Sequence, residues 1–162
     1  VYQSNILSIV KGSRGTPGEI VGTIDYQKKN RIGTITDNSN CGIFGTVERD
    51  YLAYDPEKAV PVADPEEVTE GPVQIVCTMN GETNHYTAEI RKIDKNNKDY
   101  KNFVLQITDE QLLEETNGIL QGMSGSPVIQ NGKLVGAVTH VFVNDPTKGY
   151  GIFAENMQNA EE

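Results

Sequence analysis

A serine held between glycines in a tight turn can present its hydroxyl and two backbone N–H groups to one point in space. Acyl transfer to serine needs that local arrangement. Gly122-Met123-Ser124-Gly125-Ser126-Pro127 offers it. The stretch runs into Val128-Ile129-Gln130, turns at Asn131-Gly132 and returns as Lys133 to Phe142, so the serine precedes a hairpin. Two readings stand at this level: a catalytic elbow, and a Gly/Ser/Pro loop without chemistry. The other chemistry-bearing residues are sparse. The two histidines are His85 and His140, and with Asp94 and Asp109 they show no compact ligand spacing, so no metal is expected. Cys41 and Cys77 each lie in an apolar stretch; buried free thiols are the leading expectation, and a single disulfide stays open. Gly12, Gly15 and Gly18 punctuate the Lys11–Glu19 loop but lack the Gly-Lys-Ser/Thr ending of a phosphate cradle. Nucleotide binding is excluded there, no cofactor is expected, and the loop reads as a flexible surface segment.

Charge narrows the partners. The 162 residues carry a net charge of −9, and no Lys/Arg patch offsets it. A field of that sign repels nucleic acid and anionic membranes. No stretch has the length of a transmembrane helix, and no basic–apolar leader is present. The chain opens at Val1-Tyr2-Gln3 and is read as a fragment of a longer protein.

The elements that must position the serine are short strands. Ile6–Val10 is the first. Glu19–Tyr26 and Arg31–Thr36, rich in β-branched residues, are expected to form a hairpin. Cys41–Val47 follows, with Gly42 and Gly45 marking a bend. Glu48–Pro72, with its prolines and acids, reads as a link between two halves, holding a short strand near Ala59–Val62 and one helical turn at Pro65–Val68. Pro72–Met79 and Thr83–Ile93 bracket Asn80-Gly81, a hairpin signal. Asn102–Thr108 places Phe103, Leu105 and Ile107 on one face. The period then changes: Asp109–Thr116 reads as a short helix closed by Asn117-Gly118, with Thr108 as N-cap and Gln111 completing a capping box. After the serine hairpin, Leu134, Gly136, Val138, His140 and Phe142 alternate with Val135, Ala137, Thr139, Val141 and Val143. Tyr150–Phe153 is the last strand, and Glu155–Glu162 an acidic tail. The pattern is that of an antiparallel barrel or sandwich.

These residues carry a resemblance. Gly122-Met123-Ser124-Gly125-Ser126-Pro127 looks like the nucleophile motif of chymotrypsin-like serine peptidases. The block from Gln121 to Pro146 resembles the stage IV sporulation protein B peptidase family, as do Lys11–Glu19, Gly42-Ile43-Phe44-Gly45-Thr46 and Leu105-Gln106-Ile107-Thr108-Asp109. The resemblance implies an all-β, trypsin/chymotrypsin-like double β-barrel, incomplete at its N-terminus. Residues 1–62 would be the remainder of the first barrel, and 63–162 the second barrel with the short helix and the nucleophile turn.

It also implies roles. Ser124 matches the nucleophile, and Ser126 a small turn residue. The N–H groups of Gly122 and Ser124 would form the oxyanion hole. Asp109 matches the candidate triad acid, and a helix-start carboxylate favoured by the helix dipole is the competing reading. The family's base histidine belongs to a Gly-His segment that this chain lacks. His140 then stands either as a cleft residue or as a structural one, and His85 reads as structural. The implied activity is that of a serine endopeptidase in sporulation signalling. It cleaves itself and a membrane-associated regulator, leading to activation of a late sigma factor, in the extracytoplasmic space between forespore and mother cell. The intact protein would be membrane-targeted, and the fragment inactive without its histidine. The alternative is a non-catalytic peptide-binding or regulatory module on the same fold.

Overall fold

The computed structural model describes residues 1–48, 55–79 and 81–160. Its strands are β1 (Ser4–Val10), β2 (Glu19–Ile24), β3 (Gly33–Ser39), β4 (Gly42–Val47), β5 (Gly71–Met79), β6 (Glu82–Ile93), β7 (Phe103–Ile107), β8 (Pro127–Gln130), β9 (Lys133–Phe142) and β10 (Asp145–Phe153). Two short helices, α1 (Glu110–Thr116) and α2 (Ala154–Asn159), complete it. Strands β5 to β10 close one barrel in the order β10-β7-β6-β5-β8-β9. Of the double barrel expected, this is the closed one. The N-terminal part forms two separate two-stranded sheets, β1–β2 and β3–β4.

That pairing corrects the expected hairpin between the second and third strands. β2 pairs with β1 and β3 with β4. The chain between β2 and β3 holds a 3-10 turn at Lys28–Asn30 and is drawn back to the N-terminus, Ile32 N–H donating to Val1 O at 2.9 Å. Asn30, Arg31 and Ile32 are thus occupied by pairing with Val1, Tyr2 and Gln3 rather than with β2. The hairpin turn at Asn80-Gly81 falls partly outside the described residues, but β5 and β6 pair in unbroken register from Gly71↔Ile90 to Met79↔Glu82. Instead of a strand, Ala59–Val62 contributes an isolated parallel bridge, Val62 to Leu134.

The barrel core follows the period-2 pattern of its strands. Phe103, Leu105 and Ile107 are buried together, with the Phe103 and Phe153 rings 5.5 Å apart. Strand β9 breaks strict alternation. Register shifts fall at Val135 opposite β8 and at Thr139 opposite β10. Each bulge moves the following side chains to the other face. Val135 and Val138 therefore both enter the barrel core, while Ala137 packs with Cys41 and Ile152 in a second cluster. Strand β10 begins at Asp145, earlier than the sequence pattern indicates.

The helix start also differs from expectation. Asp109 is the N-cap, its Oδ1 accepting from Leu112 N–H at 3.0 Å. Thr108 instead bonds Thr87 Oγ1, and Gln111 reaches forward to Glu115 rather than back into a capping box. Asp109 prevails because a carboxylate at this position also gains from the dipole of the first turn.

Candidate active site

The serine loop is built from two consecutive turns that share Met123. Met123 N–H donates to Leu120 O at 3.1 Å, and Ser126 N–H to Met123 O at 3.0 Å. Each has a glycine with positive φ at its third position, Gly122 at 104° and Gly125 at 89°. An i to i+3 bond with positive φ at the third residue alone defines a type II turn, which admits glycine there almost exclusively. The spacing Gly122-x-x-Gly125 is thus the sequence requirement for this double turn. Met123, the shared corner, is fully buried and anchors it in the barrel core.

The construction leaves Ser124 exposed at the surface. Gly125 N–H is spent on Val138 O at 2.8 Å, tying the loop to β9. Among the described residues, neither Gly122 N–H nor Ser124 N–H donates to a protein acceptor. Two N–H groups without a protein acceptor thus lie in the same double turn as the hydroxyl, where an oxyanion hole would draw its donors. The hydroxyl itself donates to Thr139 O at 2.7 Å. That carbonyl stands at the second bulge of β9, and bulges commonly re-aim backbone groups beside active sites.

A cleft of about 750 Å³ opens beside Ser124. Its walls come from β9 (Ala137 to His140), the β3–β4 hairpin tip (Ser39 to Ile43), Ile152, Met157 and the Asp99–Lys101 loop. Cys41 lies there with its side chain against Tyr100, and this hydrogen bond pushes the Tyr100 hydroxyl above the usual tyrosine range. Lys101 reaches over the Tyr150 ring, 5.2 Å from its centroid.

The residues singled out from the sequence are brought together only in part. Ser124, Gly122 and His140 converge: Ser124 and His140 line one cleft, and Gly122 precedes Ser124 in the double turn. Asp109 does not line it. Both of its oxygens are held by backbone, Oδ1 by Leu112 N–H and Oδ2 by Thr87 N–H at 3.1 Å. His85 sits on β6 with Nδ1 3.4 Å from Gln74 Oε1. Ser126 is half-buried and bonds the Cys77 thiol, whose pKa burial pushes up and that bond lowers. Cys41 and Cys77 are both free and buried. Among the described residues, no group of three or more His, Cys, Asp or Glu could hold a metal ion.

The sequence pattern missed two contributors. Thr139 accepts from the Ser124 hydroxyl through its backbone, which no side-chain pattern reveals. The Lys11–Glu19 loop, expected to be a flexible surface segment, is docked on the barrel. Gly12 N–H donates to Thr116 O, Gly15 N–H to Val143 O, and Asn117 Nδ2 to Gly12 O, each within 2.9 Å. Two of its glycines are packing requirements: a Cβ on Gly18 would collide with Val10 O and Gly12 N, and one on Gly12 would lie 2.9 Å from Gly18 N, whereas Gly15 has open space and a φ of 85°.

A family model described as SpoIVB peptidase S55 matches residues 1–158. The active form of the Rv3671c protease from M. tuberculosis superposes with a TM-score of 0.55 at 18% identity, covering 93% of this chain and 69% of that one. The inactive form of Rv3671c protease gives a TM-score of 0.54 at 19% identity, covering 85% of this chain and 69% of that one. At such identities the likeness is one of fold. No curated protein matches the chain.

Proposed function

The chain belongs to the SpoIVB peptidase S55 family, a family of serine peptidases, and on that premise we propose that Ser124 is the nucleophile of an endopeptidase acting in sporulation signalling. One observation carries the assignment of Ser124. It is an exposed hydroxyl on a double type II turn, sharing that turn with the unpaired N–H groups of Gly122 and Ser124 and opening onto a cleft.

The chemistry follows from these groups. A neutral serine hydroxyl attacks a peptide carbonyl poorly until a base takes its proton. Here the proton is committed to Thr139 O, and neither histidine accepts it. The base is a histidine from a Gly-His segment that the present sequence does not include. Once it withdraws the proton, Oγ adds to the scissile carbonyl. The oxygen, now negative, sits between Gly122 N–H and Ser124 N–H, a stabilisation of about 3–4 kcal/mol for one good donor. Collapse expels the amine, protonated by the histidine, and water then hydrolyses the acyl-enzyme. Asp109 is left in the role its contacts support, as helix cap. His140 serves as a wall of the substrate cleft.

The substrate is a polypeptide. Its cleavage targets are the protein's own chain and a membrane-associated regulator, whose processing leads to late sigma factor activation. The setting is the space between forespore and mother cell, with the natural protein targeted to the membrane. The chain by itself is inactive on peptides, because Ser124 lacks a base. Peptide-library cleavage by the natural protein, abolished by Ser124→Ala, together with silence of residues 1–162 alone, is the expected result. Full activity in the Ser124→Ala protein would overturn the reading. A second reading, a non-catalytic peptide-binding module, draws on the Ser124–Thr139 bond. It predicts tight peptide binding by the natural protein with no cleavage at all.

A further inference from the structure

The peptide that presents Gly122 N–H is the Gln121–Gly122 peptide, the central unit of the first type II turn. Types I and II differ by a flip of that central peptide, which interchanges the directions of its C=O and N–H. The oxyanion donor therefore exists in one turn type and vanishes in the other. What selects between them lies outside the turn. Gln121 O accepts from Ile20 N–H at 2.9 Å, and Gln121 N–H donates to Gly18 O at 2.7 Å. This is a parallel bridge between Glu19 and Gln121, joining the start of β2 to the nucleophile loop. In a trans peptide C=O and N–H point oppositely. With Gln121 O fastened to Ile20, Gly122 N–H must face away from β2, free for the substrate.

Building on the proposed endopeptidase activity, we infer that the Lys11–Ile20 segment is the positioning element of the oxyanion hole, with Ile20 N–H as the latch that holds the Gln121–Gly122 peptide in its productive orientation. Ile20 pairs with Ile9 on its β1 side, so the bond to Gln121 uses the other edge of β2. The segment is braced at both ends of the site. Gly12 is tied to the C-terminal end of α1 through Thr116 O and Asn117 Nδ2, and Gly15 to Val143 after β9. Lys11 Nζ adds a bond to Glu114 O at 2.6 Å. Ile20 also limits the turn sterically, since a Cβ on Gly122 would come within 3.2 Å of its own Cβ. A displacement of β2 therefore switches off an oxyanion donor without touching Ser124. Ile20 is a positioning residue: it acts through Gln121 and meets no substrate.

The test removes one hydrogen. In the natural protein, the Ile20 amide is replaced by an ester, using the α-hydroxy acid of isoleucine. Ile20→Pro removes the same N–H genetically, and Ile20→Val retains it. The ester and proline forms are expected to lose about 10- to 1,000-fold in kcat, the upper figure being loss of a whole oxyanion donor. KM should stay within about twofold, because the ground-state carbonyl makes little use of the hole. Ile20→Val should keep wild-type kcat. The Gln121 carbonyl 13C resonance should move upfield in the ester form as its hydrogen bond is lost. Wild-type kcat in the ester or proline protein, with that resonance moved, would overturn the latch. A natural protein that cleaves nothing, or a Ser124→Ala form that still cleaves, would overturn the peptidase reading instead.

Discussion

Replacing Gly122 by alanine sets two energies of the site against each other. At φ 104° an L-residue is strained, by about 1–3 kcal/mol. The added Cβ also meets Ile20 Cβ at 3.2 Å, which demands a shift of a few tenths of an ångström. Against this stands the Ile20 N–H to Gln121 O bond, a net contribution of roughly 0.5–1.5 kcal/mol. The strain exceeds the latch, so the central peptide should flip and let alanine adopt negative φ. Stability then falls by no more than the lost hydrogen bond, about 1 kcal/mol, or roughly 2–4 °C in Tm for a chain of this size. Catalysis falls much further, by about 10²–10³ in kcat, because the flip removes an oxyanion donor. Thermal melting and steady-state peptide hydrolysis on the natural protein measure both. Gly132→Ala supplies the comparison: φ is 76° with open space around the Cβ, so it should cost stability and leave kcat alone. A Gly122→Ala enzyme with wild-type kcat would refute the reasoning, whatever its Tm.

Three further outcomes are expected. Asp109→Ala should lose a helix cap and the bond to Thr87 N–H, costing about 0.5–2 kcal/mol in denaturant unfolding; kcat below the melting range should be unchanged, and a thousand-fold fall would restore the triad role. Thr116→Val should destabilise by about 1–3 kcal/mol, because the buried Thr116 hydroxyl serves Leu112 O, Gly118 O and Gly118 N–H; Thr116→Ser should recover most of it. Hydrogen bonds from Lys148 and Thr147 hold the Asp145 carboxyl below its usual range, so the unfolded chain binds more protons between the folded and unfolded pKa values. Stability from this group is therefore complete above the ordinary carboxylate pKa and is lost as pH falls through the lowered one; Asp145→Asn should flatten that part of the acid limb in low salt, and an unchanged limb would contradict it.

Much of the barrel was legible because burial writes itself into side chains. The Phe103/Leu105/Ile107 alternation and the Asn131-Gly132 turn each carry their geometry in residue type, and so does the Gly122–Gly125 spacing of the serine loop. What stayed hidden was written in the backbone. Glu19–Ile24 and Gly33–Ser39 are both good strands, but their pairing is set by main-chain bonds: the connection between them is held by Val1–Gln3, and the Lys11–Glu19 loop that turns β1 into β2 docks through main-chain atoms of Gly12, Gly15 and Gly18. The Thr139 bulge, the Ser124 hydroxyl's acceptor and the Ile20–Gln121 bond have no side-chain signature either. At the helix start, Thr108 and Asp109 are both good N-caps by type; the carboxylate's gain from the helix dipole and the bonds each residue makes to Thr87 separate them.

The central claim is that Ser124 is the nucleophile. Its most direct test is the mass and position of the covalent adduct formed when the natural protein reacts with a serine-directed phosphonate. One adduct is expected, located by peptide mapping to Ser124, absent after Ser124→Ala and retained after Ser126→Ala. An adduct on Ser126, or peptide cleavage that survives Ser124→Ala, would contradict it.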